Sequence, residues 1–455
     1  MRAPLPGAGG AGKTLPSALT DKLRSIAGAP HVWTGVECSP YVLEGRTPEA
    51  VVFPASKEEI AAILALASAA EIPVTPWGGG TKLGIGSPPA RLGLVLGLKR
   101  LDRVLEHEPG DLTATVQTGI TLSALQSELG KCGQWLSLDP AYPERATLGG
   151  ILASDASGPR RHLYGTCRDL LIGLTVVEAD GTIVKGGGKV VKNVAGYDLP
   201  KIYIGSFGTL GILVEATLKL RPRPDEDRLV VARFARLPEC AAAARAIMAS
   251  DLVPSALEIV DGEAARALGL PPTGAALLIG VDGIEEQVEW QCGEVGRLLR
   301  PLGASEPAVL DGRARDEVWR ALGELGHAGA SDASAVMKCG VLPTRLAAVM
   351  EEGAAIARRH GLRPALAAHA GVGIATAVLA GDGADASAVV ATLTEWRAMV
   401  NGAGGHARVE WAPLAVKERL SVWDAPGPAV RIMKRIKERL DPRGILNPGR
   451  FVGGI

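Results

Sequence analysis

The sequence predicts an α+β protein in which a glycine-rich β-α-β module is followed by a second sheet covered by helices. Three observations carry that expectation. A strand–helix–strand run from Ala50 to Thr75 opens directly into the glycine loop Trp77-Gly-Gly-Gly-Thr-Lys82. The stretch Arg221-Pro-Arg-Pro-Asp-Glu226 has the proline and charge content of a linker. Beyond it, strands and helices recur in β-α-β order, which suits an antiparallel sheet with helices on its faces, ferredoxin-like in character.

Taken in order, residues 1–44 read as a loose arm with one helical piece near Ser17–Ile26. Ala50-Val-Val-Phe is a strand, Lys57 opens an apolar-striped helix, and Ile72–Thr75 is a second strand. Strands follow at Gly93-Leu-Val-Leu and Thr113-Ala-Thr-Val-Gln, then a helix at Leu122–Leu129. Asp180-Gly181 between two β-branched runs is a hairpin signal. The stretch Phe207 to Leu220 reads as a turn and an alternating strand. After the linker come strands at 229–234, 256–260, 275–281, 335–341, 365–370 and 373–379, with helices at 240–250, 263–268, 285–299, 344–360 and 386–401. A last helix at Pro428–Leu440 and a short tail complete the chain, giving units 1–44, 45–223, 224–427 and 428–455.

Composition narrows the function. The 455 residues are 47% apolar but only 4% aromatic, and 49 basic residues balance 49 acidic ones. That balance leaves no electrostatic footprint for nucleic acid, and the Arg160-Arg161 pair reads as a phosphate or solvent contact. No apolar run reaches the roughly eighteen residues of a membrane span, and the start lacks a signal-peptide core. Six scattered cysteines have no metal-ligand spacing, so they read as thiols of a reducing cytoplasm, and the chain by itself has no iron–sulfur motif. Gly7-Ala-Gly-Gly-Ala-Gly-Lys-Thr14 fits the phosphate-loop expression. Prolines at 4, 6 and 16 exclude the flanking strand and helix, so the match is accidental.

Two clusters of small residues carry the chemistry. Gly78-Gly-Gly-Thr81 can point several N–H groups into one concavity, as backbone does for a pyrophosphate. It does not fit the dinucleotide fingerprint, because no helix with a ribose-binding acid follows. The second cluster runs through Thr147-Leu-Gly-Gly150, Ser154, Ser157-Gly-Pro-Arg-Arg161 and Tyr164-Gly165 to Gly205-Ser-Phe-Gly-Thr-Leu-Gly211. Such density lets main chain approach a long phosphate-bearing cofactor.

These paired blocks, from about Val51 to Pro224 and again at Leu440-Asp-Pro-Arg-Gly-Ile-Leu-Asn-Pro-Gly-Arg450, resemble the FAD-linked oxidases of the vanillyl-alcohol oxidase type, with a PCMH-type FAD-binding domain. Ser157–Arg161, Val191-Lys-Asn-Val-Ala-Gly-Tyr-Asp198 and Gly449-Arg-Phe-Val-Gly-Gly454 are most similar to the FAD-binding subunits of bacterial glycolate oxidases. The resemblance implies a two-subdomain FAD domain, a cap domain over the flavin, and a tail returning to the FAD domain. It assigns Trp77, Gly78, Gly79, Gly80 and Thr81 to the pyrophosphate side. It assigns Pro140, Thr147, Gly149, Gly150, Ser154, Ser157, Gly158, Tyr164, Gly165, Ile212 and Asn447 to the rest of the cofactor. Positions 77–82 hold no histidine for covalent attachment, so FAD is expected to be noncovalent.

The substrate side departs from the family pattern. Metal-dependent relatives carry His-x-Gly-Asp-Gly-Asn-x-His and a later Glu-His pair. Here the matching residues are His369, Gly371, Val372, Gly373, Ile374 and Thr376, then Glu410-Trp411. Half of the ligand set is missing, so no metal is expected. His369 is a candidate general base or a hydrogen-bonded structural histidine, and Lys338 and Arg408 are candidates for a substrate carboxylate.

The resemblance implies an FAD-binding subunit of a D-2-hydroxy-acid dehydrogenase complex acting on a small 2-hydroxy acid. Its partners would be a second flavoprotein subunit and an iron–sulfur subunit. The location would be cytoplasmic, or the inner face of the membrane through those partners. A stand-alone oxidoreductase with a remodelled pocket and a non-catalytic flavin relay remain as alternatives.

Overall fold

The computed structural model describes residues 15–189, 197–327, 333–381, 383 and 385–455. The phosphate-loop-like match at 7–14 and the 190–196 part of the Val191–Asp198 motif lie outside the described residues.

The first sheet has four strands in the order Val32–Thr34, Ala50–Val52, Leu94–Gly97, Val74–Trp77. Its three later strands are parallel, and helix Lys57–Ala69 packs Ile60, Ile63, Leu64 and Ala67 onto them. Ser56 caps that helix by accepting from Glu59 N–H at 3.1 Å, and Glu58 and Glu59 favour its positive end. Residues 15–34 are not a loose arm. Leu15, Leu23, Ala27 and Val32 are buried in the same core, and Val32–Thr34 pairs antiparallel with Ala50–Val52. Their apolar side chains gain more from that sheet than from solvent.

The second sheet is antiparallel, in the order Val104–Glu108, Thr113–Gln117, Ile212–Lys219, Leu171–Val177, Ile183–Gly187. The Asp180-Gly181 signal corresponds to the hairpin between the last two, with Gly181 at φ +91°. The linker is ordered at its start, where Arg221–Pro222 pairs with Gln134–Trp135.

The cap is one antiparallel sheet of eight strands made from two ferredoxin-like halves. The first half is Glu226–Phe234, helix Leu237–Met248, Ala256–Asp261, Ala275–Gly283, helix Glu285–Leu299 and Ala308–Leu310. The second is Ala333–Gly340, helix Leu346–Arg359, Arg363–His369, Ile374–Ala380, helix Ala386–Gly402 and His406–Trp411. Within each, the strand order is fourth, first, third, second, and the two second strands join with Glu258 opposite His369. The strand His406–Trp411 and the helix Gly312–Glu324 go beyond the sequence reading. The strand is short and alternates charged with small residues, and the helix buries only Val318 and Leu322.

The C-terminal segment crosses back to the first two sheets. Ile436 and Leu440 of helix Val430–Leu440 pack on the second sheet's core, and Ile445 and Leu446 are buried in the first. Asp441 fixes the turn by accepting from the N–H groups of Ile445 and Leu446 and from Lys437 Nζ. Among the described residues, no helix is long and apolar enough to cross a membrane.

Candidate functional site

The two glycine clusters meet. A Cβ at Gly79 would stand 1.6 Å from the Arg145 carbonyl oxygen, and one at Gly78 would stand 2.1 Å from Thr147 Oγ1. Only glycine lets the loop after strand Val74–Trp77 lie directly on the 145–147 segment. The N–H groups of Gly78, Gly79, Gly80 and Thr81 find no acceptor among the described residues, which is the state of a nest prepared for an anion.

Thr147 opens a short helix, Leu148–Ser154, that sequence reasoning did not separate from the surrounding strip. Its Oγ1 accepts from Gly150 N–H at 3.3 Å, and Gly149 N–H is already donated to Thr118 O at 2.7 Å. These two residues therefore shape the wall by packing, and their N–H groups have protein partners.

A groove of about 100 Å³ runs between the clusters. Gly78, Gly79, Gly80, Thr81, Thr147, Gly149, Gly150, Ser154, Ile212 and Asn447 line it. The tail determines its shape. Asn447 donates to Phe207 O at 2.6 Å and accepts from Thr75 Oγ1 at 3.3 Å, tying three segments together. Arg450 donates to the carbonyls of Leu83, Ile85 and Ser87, which pins the chain just after the glycine loop. Burial pushes this guanidinium down to about 10.

Three expected cofactor residues stand outside the groove and its neighbouring chamber. Trp77 packs edge-on against Tyr41 at 4.9 Å. Tyr164 donates its hydroxyl to Asp282 at 2.6 Å, a bond that ties the first module to the cap. Gly165 ends the short helix Arg161–Tyr164 at φ +79°, where a Cβ would meet Asp169. The family resemblance marked these three positions, and in this structure their contacts are a ring packing, a bond to the cap and a turn.

The groove opens at Lys82 and Ser154 into a chamber of about 280 Å³ between the modules. Pro140, Ser157 and Gly158 line this chamber, and Ser157 Oγ is buried without a partner. That orphaned hydroxyl in the chamber, with the unpaired N–H groups in the adjoining groove, fits a polar cofactor passing from groove to chamber.

The cap supplies the opposite wall. His369 Nδ1 lies 2.6 Å from Glu258 Oε1, across the seam of the two ferredoxin-like halves. A carboxylate can only accept there, so the proton sits on Nδ1 and Nε2 is left with no partner among the described residues. Glu258 was missed from the sequence, although an acid within Ala256-Leu-Glu-Ile-Val260 is a signal in an otherwise apolar strand.

Lys338 and Arg408 are cross-strand partners, and both face Glu410. Arg408 Nε is 2.6 Å from Glu410 Oε1, and Lys338 Nζ is 4.0 Å from it. Burial alone would raise the Glu410 carboxyl, but Lys338, Arg408 and Lys82 outweigh it and hold it at about 2. Lys82 reaches in from the glycine loop to His327 Nε2 at 2.6 Å. Burial lowers Lys82 to about 8, and burial with the nearby Lys82 lowers His327 to about 3. His327 is therefore a neutral acceptor.

Val372, Ile374 and Trp411 give this wall no metal ligand. Among the described residues, no group of three His, Cys, Asp or Glu could hold a metal ion. Cations surround Glu410 instead.

The chain matches the FAD binding domain family at residues 48–187 and the C-terminal domain of FAD linked oxidases at 223–451. It is 31% identical over 431 residues to the glycolate oxidase subunit GlcD of Bacillus subtilis, covering 89% of each chain. It is 30% identical to a D-lactate dehydrogenase of Anaerostipes hadrus, again over 89% of each. Among solved structures, p-cresol methylhydroxylase superposes with a TM-score of 0.79 at 17% identity, covering 95% of this chain and 96% of the other. An alkyldihydroxyacetonephosphate synthase superposes with 0.75 at 19%, covering 96% and 86%. Those two likenesses describe the fold.

Proposed function

The chain belongs to the FAD-linked oxidases, with FAD as its cofactor, and from that premise we propose that it is the FAD-binding subunit of a D-2-hydroxy-acid dehydrogenase complex of glycolate oxidase type. One observation carries the reading. A histidine–carboxylate dyad, His369–Glu258, and the cation pair Lys338–Arg408 line one chamber that opens onto the cofactor groove.

Bound FAD would supply the two-electron acceptor and take the hydride from C2 of the substrate. Gly78–Thr81 would hold its pyrophosphate, without a covalent link. The rest of the chemistry falls to side chains. Lys338 and Arg408 hold the substrate carboxylate. His369 Nε2 takes the proton of the C2 hydroxyl, while Glu258 keeps the ring in the required tautomer and stabilises the imidazolium that forms. The ring is mostly enclosed, with 16% of its side chain exposed, which limits competition from water. Electrons would then leave to a second flavoprotein subunit and an iron–sulfur subunit.

Anaerobic stopped-flow reduction of the flavin by glycolate, D-lactate and longer 2-hydroxy acids, with and without co-purified partner subunits, tests this. His369→Ala is expected to slow reduction by roughly a hundredfold or more at unchanged FAD content. Reduction at the wild-type rate would remove the dyad from the mechanism. A chain that accepts electrons only from a partner's reduced flavin would favour the relay reading, which the departure at Val372, Ile374, Thr376 and Trp411 keeps in view.

A further inference from the structure

We propose that the chamber holds a second carboxylate subsite built around Arg161, so that the preferred substrate is a 2-hydroxy dicarboxylate. The inference rests on the 2-hydroxy-acid reading of the same chamber and names its substrate class.

The local charges motivate it. Lys338, Arg408 and Lys82 share one carboxylate, Glu410, so the cations outnumber it and can take a first substrate carboxylate. Arg161 is a further cation of the same chamber, contributed by the other module at the start of helix Arg161–Tyr164. It is half-buried, and its guanidinium has no acceptor or ion-pair partner among the described residues. Its neighbour Arg160 shows the contrast, being paired with Asp227 and with Asp282. Arg161 and Lys338 both line this chamber.

The remaining acids are committed elsewhere. Asp139 accepts from the N–H groups of Gly158 and Arg160, Asp155 faces the Cys167 thiol at 3.2 Å, and Glu258 holds His369. An unpaired guanidinium in a partly enclosed chamber lacks the partner that such groups normally have. A ligand carboxylate supplies it, in the planar two-bond geometry that arginine favours. A 2-hydroxy monocarboxylate engages the Lys338–Arg408 end and leaves Arg161 bare. A dicarboxylate engages both.

The holoprotein, full chain with FAD, is titrated with glutarate and succinate and with the monoanions pentanoate and butyrate, following the bound-flavin difference spectrum. The dianions are expected to bind at least about tenfold more tightly than their monoanionic counterparts. Arg161→Leu should bring the ratio close to one, and Arg161→Lys should retain part of it, with FAD content and thermal melting checked for each. Equal affinities in the wild type, or a ratio unchanged by Arg161→Leu, would overturn the proposal. If Arg161→Leu does not retain FAD, Arg161→Lys decides: a lowered ratio supports the subsite, and an unchanged one overturns it. Failure of the underlying reading looks different. Dianions would then bind in an Arg161-dependent way, while neither malate nor 2-hydroxyglutarate bleaches the flavin.

Discussion

Replacing Glu410 by glutamine should destabilise the cap, and the structure sets the size of the effect. Glu410 is held at about 2, against an ordinary 4.5, because Lys338, Arg408 and Lys82 together overcome its desolvation. That depression corresponds to about 3 kcal/mol of stability at neutral pH, since each pKa unit is worth about 1.4 kcal/mol. The side chain is only 9% exposed, so solvent screening takes little from it. Glu410→Gln removes the anion that these three cations share and keeps the volume. Lys338 is already lowered by burial and can shed its proton in the variant, which makes 3 kcal/mol an upper figure. For a cap of this size, a loss of that size corresponds to a melting temperature lower by at most roughly 6–12 °C. The sign with pH is fixed. A carboxylate depressed in the folded state contributes fully above 4.5, and its contribution is lost as pH falls through about 2. Thermal melts by circular dichroism at pH 7 should therefore separate the two proteins, and on the acid side the gap should narrow only below about 4.5. Identical melting at pH 7, or a gap that shrinks between pH 8 and 6, would refute the electrostatic account of this cluster.

Three further outcomes are expected. Gly79→Val should lose bound flavin, because its Cβ would meet the Arg145 carbonyl oxygen at 1.6 Å and the loop must move; wild-type FAD content in that variant would contradict the packing argument. Carboxylate affinity should fall as pH rises through about 8, where Lys82 loses its proton while His327 is already neutral and Glu410 already ionised. Lys82→Met should remove that limb, and a limb that survives would assign it to another group. Acid precipitation should release all FAD into the supernatant, because residues 77–82 hold no histidine, and EDTA should not change any flavin reduction; yellow colour on the pellet or chelator sensitivity would reverse these expectations.

The sequence by itself determined the parts whose physics is local. Proline and glycine punctuation, capped helices and alternating strands place most elements. The two glycine clusters were legible because close backbone approach leaves only glycine as a choice, as at Gly78 and Gly79. The absence of polar ligands at Val372, Ile374 and Trp411 could also be read directly. What only the tertiary structure decided is pairing over long range. Nothing near His369 in sequence announces Glu258, because the seam between the two ferredoxin-like halves brings together strands 111 positions apart. Lys82 and His327 meet only where the glycine loop faces the cap. Tyr164 shows the converse: its sequence neighbourhood does not announce that its hydroxyl reaches Asp282 of the cap. Charge pairing, burial and desolvation depend on which surfaces touch, and that is a property of the folded chain.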